Sequence, residues 1–268
     1  MLPLPSDTIP RLILAVACGA SRTVPITWMV PIFGGSHVPA EVRIALGILL
    51  AFLGLPHLTA GVDGAGLVAA GPLVLVLVLA RELAIGVTVG LVASFVFRAA
   101  EMAGRLGDVM RGANMAEVLV PTSDERTSPT GNLYLFVTTV IFLELGGLGR
   151  MMAALMRSYE AIPLGLAGSA AGLRGATAVV IAASAKLIEA AVGLAAPVIV
   201  ALLLADVALG AIARAAPQIP VYFVGMPLKA LLGVGVVLVG LGALEGALTG
   251  GIGGWLDLIE RVWSAWKA

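Results

Sequence analysis

The sequence predicts an all-α integral membrane protein with about six apolar helical segments, several of them broken. Hydrophobic residues make up 60% of the 268 residues and charged residues only 12%, against about 25% in a typical soluble domain. The mean hydropathy is +1.06. Apolar runs of about twenty residues, the length that one bilayer crossing needs, recur along the chain. No polar linker divides it, so we expect a single membrane domain over residues 1–268.

The first two apolar segments precede a Gly-rich connection at residues 57–71. We predict the first helix over residues 12–33, with a kink near its end because it contains prolines, and with Arg22 inside it. Residues 1–11 lack the basic start of a cleaved signal, so we expect the first helix to remain in the protein. The second segment, residues 42–55, is short for a full crossing.

The third apolar segment covers residues 72–97 and is interrupted by Arg81 and Glu82. Adjacent residues do not face each other on a helix, so the two charges do not neutralise each other directly. Two interpretations stay open. Either they mark a helix end near the membrane interface, or they form a buried pair with another subunit.

A charged stripe follows this segment, and its members are three or four residues apart. They are Arg98, Glu101, Arg105, Asp108 and Arg111. The spacing predicts an amphipathic helix that continues from the apolar one and leads into a small-residue loop and a polar turn, about residues 98–131 in all. The stripe faces either solvent beside the membrane or a neighbouring subunit.

A helix start is predicted at Ser128 and Pro129, since serine is a favoured N-cap and proline a favoured first residue. The fourth apolar helix is predicted over residues 132–155 and contains Glu144.

Two further apolar helices complete the chain. The fifth is predicted over residues 176–214, with a break or kink at Pro197, and the sixth over residues 221–248. The tail, residues 252–268, contains three tryptophans and mixed charges. Because tryptophan favours the membrane–water boundary, we predict an interfacial amphipathic helix there.

The composition argues against several function classes. Sixteen basic and sixteen acidic residues cancel, whereas a nucleic-acid-binding protein needs a basic face. Cys18 is the only cysteine, and His37 and His57 are the only histidines. They form no recognised metal or catalytic motif, so we expect no cofactor, no metal and no enzyme activity.

One alternative is a proton-coupled secondary transporter of a small solute. Acids inside membrane helices are candidate proton carriers, and Glu144, Glu189 and Asp206 are such acids. The two halves of the chain show no convincing similarity to each other, which argues against the internal repeats common in transporters.

Several stretches carry a family resemblance, and they occur in one order along the chain. They include Arg81-Glu-Leu-Ala-Ile-Gly, Thr127-Ser-Pro-Thr-Gly-Asn132 and Gly225-Met-Pro-Leu-Lys229. Together they resemble the type III secretion export-gate family, known as SctT in injectisomes and FliR in flagella, with the injectisome form favoured. The matching positions are Pro31, Arg43, Gly90, Gly104, Ser128, Pro129, Gly131, Ser158, Tyr159, Pro163, Gly165, Pro197, Arg214, Pro217, Gln218 and Pro227.

The resemblance implies a non-enzymatic component of an export gate in the bacterial inner membrane, packed there as helical hairpins. It implies one copy surrounded by several copies of two small helical subunits, SctR/FliP-like and SctS/FliQ-like, beside an SctU/FlhB-like switch subunit. Unfolded proteins would pass through the pore, and membrane lipid would surround it.

The resemblance also assigns candidate site residues. The segment that matches the family's pore plug is Gly112, Ala113, Asn114, Met115, Ala116, Glu117 and Val118, extending to residue 120. The alternative is a plain surface loop. Six charged residues are candidates for intersubunit ion pairs, or alternatively for pairs at the lipid headgroups: Arg81, Glu82, Lys186, Glu189, Asp206 and Lys229.

Overall fold

The computed structural model describes residues 8–35, 38–56, 71–112, 128–163 and 170–267. These residues form helices joined by turns, and none of them lies in a β-strand. The all-α membrane fold predicted from the sequence is confirmed.

Each predicted apolar segment is helical, in elements that we number along the chain. They are α1 (Thr8–Met29), a 3-10 helix (Pro31–Phe33), α2 (Ala40–Leu53), α3 (Pro72–Met110), α4 (Pro129–Glu144), α5 (Gly147–Ala161), α6 (Ala170–Ala215) and α7 (Val221–Lys267). Within the described residues, α1, α3, α6 and α7 are long and apolar enough to cross a membrane, and the α4–α5 pair is a fifth candidate. Helix α2 has 14 residues, fewer than the roughly 20 that a crossing needs.

The segment predicted as one helix over residues 132–155 is broken in the structure. Helices α4 and α5 meet at a bend of 74°. Gly146 lies at the bend with φ of 70°, a left-handed conformation that favours glycine because it has no Cβ. The pattern also changes at this point, because α4 is apolar on all sides and α5 is amphipathic. The glycine pair and this change are the signals of the bend in the sequence.

Helix α6 continues through Pro197 as one helix, so the predicted break is absent, while the alternative of a kink there stays a prediction. One face of the helix is buried on both sides of the proline, and we call this face the α6 seam. It consists of Ala191, Ala195, Val198, Leu202, Ala205 and Leu209. Its alternating steps of four and three residues give a continuous packing stripe, which holds the helix together across the residue that lacks a backbone donor.

Contacts group the chain into two units, and the prediction of one membrane domain stays a prediction. Unit 1 contains residues 1–95, 146–184 and 252–268, and unit 2 contains residues 96–145 and 185–251. Helices α3, α6 and α7 contribute residues to both.

In unit 1, α1 and α2 approach each other closely. The Thr23 hydroxyl donates to the Gly47 carbonyl oxygen over 2.6 Å. A Cβ atom at Gly47 would lie 2.7 Å from the Val24 side chain, so the contact requires a residue without a side chain. Small residues at such crossings are typical of membrane helices.

The C-terminal tail is helical as predicted, and its position at a membrane interface stays a prediction. It continues α7 without interruption, and Trp255, Trp263 and Trp266 are buried in unit 1 at 4%, 5% and 7% exposure. Ile259 and Val262 are buried with them. The three indoles therefore contribute packing area, which is the other common use of tryptophan in a folded protein.

The core of unit 2 is built around Tyr134. Its hydroxyl donates to the Val237 carbonyl oxygen over 3.3 Å and occupies the position that a Gly240 side chain would need. Its buried neighbours are mostly small, which brings the backbones close. They are Ala100, Ala103, Ala195 and Leu244.

Candidate functional site

Four side chains connect the end of α3 to the start of α4, and we call them the clasp: Asp108, Arg111, Ser128 and Thr130. Asp108 is fully buried. Its Oδ2 accepts hydrogen bonds from the Ser128 hydroxyl at 2.5 Å and from the Thr130 backbone N–H at 3.0 Å. Its Oδ1 pairs with Arg111, whose guanidinium also donates to the Thr130 hydroxyl at 2.7 Å. Both oxygens of a buried carboxylate are thus satisfied, as burial of a charge requires.

The clasp includes the N-cap of α4, which the sequence predicted. The Ser128 hydroxyl oxygen accepts from the Gly131 backbone N–H at 3.0 Å, and Pro129 is the first helical residue. The Asp108 carboxylate lies against this first turn, where the free N–H groups of a helix favour negative charge. The N-cap prediction is confirmed, and the structure adds its buried acid.

Two glycines allow α3 and α4 to meet at the clasp. A Cβ atom at Gly104 would lie 2.6 Å from the Gly131 backbone nitrogen, and one at Gly131 would lie 2.9 Å from Cγ of Arg105. Both distances are shorter than van der Waals contact. The resemblance positions Gly104, Ser128, Pro129 and Gly131 therefore meet in one contact between two helices.

The clasp joins the helices that flank the stretch of chain containing the plug candidate. Gly112 ends the α3 region in a left-handed conformation, with φ of 77°, and Ser128 begins α4. Residues 113–127, including the plug candidates Ala113 to Val118, lie outside the described residues. Because Asp108 and Arg111 bind Ser128 and Thr130 directly, the described residues on the two sides of residues 113–127 lie next to each other.

Replacing Ser128 by Ala is expected to destabilise the protein by about 1–2 kcal/mol, because it removes the N-cap and one donor to the buried Asp108. Thermal unfolding in detergent, followed by size-exclusion chromatography, measures the effect. Ser264→Ala is the matched control, since the exposed Ser264 hydroxyl bonds only its own helix, at Arg261. Equal melting temperatures for the two variants would contradict the capping role.

The charged stripe beside the clasp forms pairs on its own helix. Glu101 is 7% exposed and accepts from Arg98 at 2.9 Å and from Arg105 at 2.6 Å. These are the spacings of three and four residues that the sequence predicted.

A second polar cluster, the Arg22 network, lies in unit 1. Arg22 and Glu82 are both fully buried, and the Arg22 Nε donates to the Glu82 carboxylate over 2.7 Å. The guanidinium also donates to the Ser158 carbonyl oxygen and to the Ile162 carbonyl oxygen, each over 3.0 Å. Its carbon atom lies 4.7 Å from the centre of the Tyr159 ring, a distance typical of a cation–π contact. Helices α1, α3 and α5 are thereby connected through one cation.

Several positions that carry the family resemblance contact Arg22 or its neighbour in the network, Arg81. Ser158 and Tyr159 contact Arg22, and the Pro163 carbonyl oxygen accepts from Arg81 at 3.4 Å. Gly86 packs directly against the Arg22 backbone, where a Cβ atom would clash. Gly165 lies outside the described residues.

Sequence reasoning placed Arg22 inside the first helix but found no partner for it. The signal was the cost of an arginine inside an apolar helix, which requires a carboxylate somewhere in the fold. Glu82 supplies it from 60 residues away. Within the chain the Glu82 carboxylate also contacts Arg81 at 3.4 Å. The intersubunit role of Arg81 and Glu82 stays a prediction.

The other predicted charges lie on unit 2. Asp206 of α6 pairs with Lys229 of α7, and the two side chains are 48% and 21% exposed. Lys186 and Glu189 of α6 are exposed, and neither forms an ion pair within the part of the chain that the structure describes. Glu144 is exposed at the end of α4.

The remaining resemblance positions are dispersed over both units. Their positions are Pro31 in the 3-10 helix, Arg43 in α2, Gly90 in α3, Pro197 and Arg214 in α6, Pro217 and Gln218 in the α6–α7 turn, and Pro227 in α7. Among them, Arg43 donates to the Val38 carbonyl oxygen at 2.7 Å and Gly90 packs against Ile26. Among the described residues, no cluster of three or more His, Cys, Asp or Glu side chains forms a metal site.

Comparison with known families identifies the protein family. Residues 13–253 match the model of the bacterial export proteins, family 1. The chain belongs to this family. The resemblance to the export-gate family described from the sequence is therefore confirmed, with the injectisome form favoured.

Relatives from three bacteria extend this result. The chain is 36% identical to the Yop proteins translocation protein T of Yersinia pestis over 158 residues, 59% of this chain and 60% of that protein. It is 28% identical to the surface presentation of antigens protein SpaR of Salmonella typhimurium over 230 residues, 86% and 84% of the two chains. It is 29% identical to the flagellar biosynthetic protein FliR of Pectobacterium carotovorum over 212 residues, 79% and 77%. The match to the Yersinia protein thus covers about three fifths of that protein's length.

Proposed function

We propose that this chain is a non-enzymatic subunit of a type III protein export gate in the bacterial inner membrane. The observation that carries the proposal is the family match over residues 13–253. The names of three relatives refer to Yop protein translocation, surface presentation of antigens and flagellar biosynthesis, and they support an injectisome or flagellar setting. The fold supports it further, since several membrane-length helices leave their apolar faces exposed.

Exposed charges on membrane helices support a multi-subunit setting. Lys186 and Glu189 are exposed on α6 and unpaired within the described chain, and a charge facing hydrocarbon is costly. In the proposed complex, SctR/FliP-like and SctS/FliQ-like subunits surround one copy of this chain. A neighbouring SctU/FlhB-like subunit and the exported unfolded proteins complete the set of partners.

The transporter alternative is weakened by one of its own acids. Asp206 is paired with Lys229, so its carboxylate forms an ion pair between two helices of this chain. Glu144 and Glu189 are exposed on the surface of the described chain, whereas coupling acids of transporters lie near a substrate site between helices.

Isolation of the tagged chain from native membranes in mild detergent tests the proposal. The expected result is one copy of this chain with several copies of two small helical membrane proteins, measured by native mass spectrometry. A monomer or a homo-oligomer without other subunits would overturn the export-gate function and leave the transporter.

In the proposed gate, Gly112 to Val118 plug the pore at rest. The clasp supports this role, because it holds the end of α3 and the start of α4, which flank the stretch containing the segment, next to each other. Small residues and Met115 suit a displaceable seal, since methionine adapts its shape to its surroundings.

Replacing residues 112–120 by a Gly-Ser linker of equal length is expected to make membranes that contain the assembled complex permeable to small ions. Ion flux into vesicles, measured with a fluorescent indicator, detects the leak. The linker keeps the chain length while it removes the side chains that fill the pore. Background flux from a fully assembled complex would show that the segment is a surface loop.

A further inference from the structure

The exposed face of α6 carries two charges on the side opposite the α6 seam. Ala191 is the first residue of the seam along the chain and lies at the centre of the seam in angle around the helix axis. At about 100° per residue, Lys186 and Glu189 lie roughly 140° and 160° around the axis from Ala191. Both side chains are exposed. They are three residues apart, yet they do not pair with each other or with another described residue.

Lipid alone is an unfavourable environment for the exposed face of α6, because this face carries charged side chains. The longest stretch of α6 without a charged residue is residues 190–205, sixteen residues, and a crossing helix needs about 20. A crossing of α6 therefore brings Glu189 or Asp206 to the edge of the hydrocarbon or into it. Lys229 neutralises Asp206, but no described residue neutralises Glu189.

Small residues surround the charged pair and leave room for a second backbone. Ala185, Ala190, Gly193 and Ala196 are exposed on this part of α6. No atom lies within 4 Å of the position that a Gly193 Cβ would take. Close helix approach in membranes uses small residues of this kind, with polar side chains bonding across the contact.

We infer that residues 185–196 of α6 dock a single apolar helix of another membrane subunit, which carries an acidic and a basic residue three or four positions apart. Its acid pairs with Lys186 and its base with Glu189, and the small residues allow the two backbones to approach. The acid and the base of the partner must follow each other in the order that matches Lys186 and Glu189. This order fixes the register of the two helices, as charge pairs do in other paired helices. The inference rests on the proposed multi-subunit function and specifies one contact within it.

Gly193→Leu tests the docking face, with Gly210→Leu as the matched control. Both glycines lie on α6 and have open space at the Cβ position, so neither variant disturbs the packing of the chain itself. Gly210 lies outside the small-residue patch. The expected result is an at least tenfold lower recovery of the small membrane subunits with Gly193→Leu, and wild-type recovery with Gly210→Leu, as for removal of a central interface contact.

Lys186→Leu and Glu189→Leu supply an independent test on the same isolation. Each leaves the partner's opposite charge unpaired in an apolar contact, so each is expected to lower recovery by a similar factor. Melting temperatures of the isolated chain stay at the wild-type value for both, because both side chains are exposed and neither forms a hydrogen bond or ion pair within the described residues.

The outcomes separate this inference from the function itself. If the wild-type chain brings no small subunits with it, the proposed function fails. If it does, and the Gly193 and Gly210 variants recover them equally, lipid covers the face and the inference is overturned. A doubled mass of this chain alone, lost with Gly193→Leu, would assign the face to a second copy and overturn it as well.

Discussion

Replacing Glu82 by Leu is expected to destabilise the folded chain by about 3–5 kcal/mol, because it leaves the Arg22 guanidinium buried without a counter-charge. The two side chains are fully buried, so water cannot compensate for the lost partner. Arg22→Met should cost a similar amount, since it leaves the carboxylate unpaired. Thermal unfolding of the detergent-solubilised chain, with the yield of monodisperse protein, measures both effects.

The double variant Arg22→Met with Glu82→Leu should recover much of the loss, because apolar side chains replace a buried pair at little net cost. Arg157 and Glu260 provide the matched control. They pair at 3.2 Å in the same unit, but their side chains are 69% and 59% exposed. Neutralising either should change stability by about 1 kcal/mol or less. A Glu82 variant no less stable than the Glu260 variant would contradict the central role of the Arg22 network.

The sequence predicted most of the helices, although not the bend between α4 and α5, and it did not predict the polar contacts between helices that are distant along the chain. Apolar runs and the Ser128–Pro129 start predict local structure, since both depend on neighbouring residues. Arg22 and Glu82 are 60 residues apart, and only the packing of α1 against α3 brings them together. A single sequence contains no information on which of its acids lies beside a given arginine.

Asp108→Ala is expected to destabilise unit 2 by about 2–4 kcal/mol, because the Ser128 hydroxyl, the Thr130 N–H and the Arg111 guanidinium all lose their acceptor. In the proposed gate it should also raise ion flux toward the level of the 112–120 replacement, because the plug segment loses its anchor. Asp108→Asn should have an intermediate effect, since one acceptor oxygen remains. Unfolding temperature and vesicle flux are the two measurements.

Glu245→Ala is the control for this variant. Glu245 is an exposed acid of unit 2, and its loss removes charge without removing a buried acceptor. An Asp108→Ala complex that is assembled, tight to ions and as stable as the Glu245 variant would show that the clasp has neither role.

Asp108 and the tryptophans show two further limits of sequence reasoning. The stripe spacing correctly predicted pairs along α3, including Asp108 with Arg111, but not the bonds that Asp108 also accepts from the cap of α4. The tail tryptophans fit either a membrane boundary or a core, since an indole is both large and polar at one edge. Trp263 is buried at 5% exposure, and this packing depends on helices far away in the sequence.

The lengths of the helices have a consequence for the life of the protein in the cell. Helices α6 and α7 have 46 and 47 residues, so each is about 70 Å long at 1.5 Å per residue. The hydrocarbon layer is about 30 Å thick, which is less than half of either length. Within the membrane-length stretch of α7, Val221–Gly251, apolar side chains such as Leu231 and Val239 are exposed at 74% and 72%. In a newly made copy without partner subunits, no protein covers these apolar side chains. Chaperones and membrane proteases bind exposed apolar segments of this kind. We expect the lifetime of the chain to depend on how fast its complex assembles.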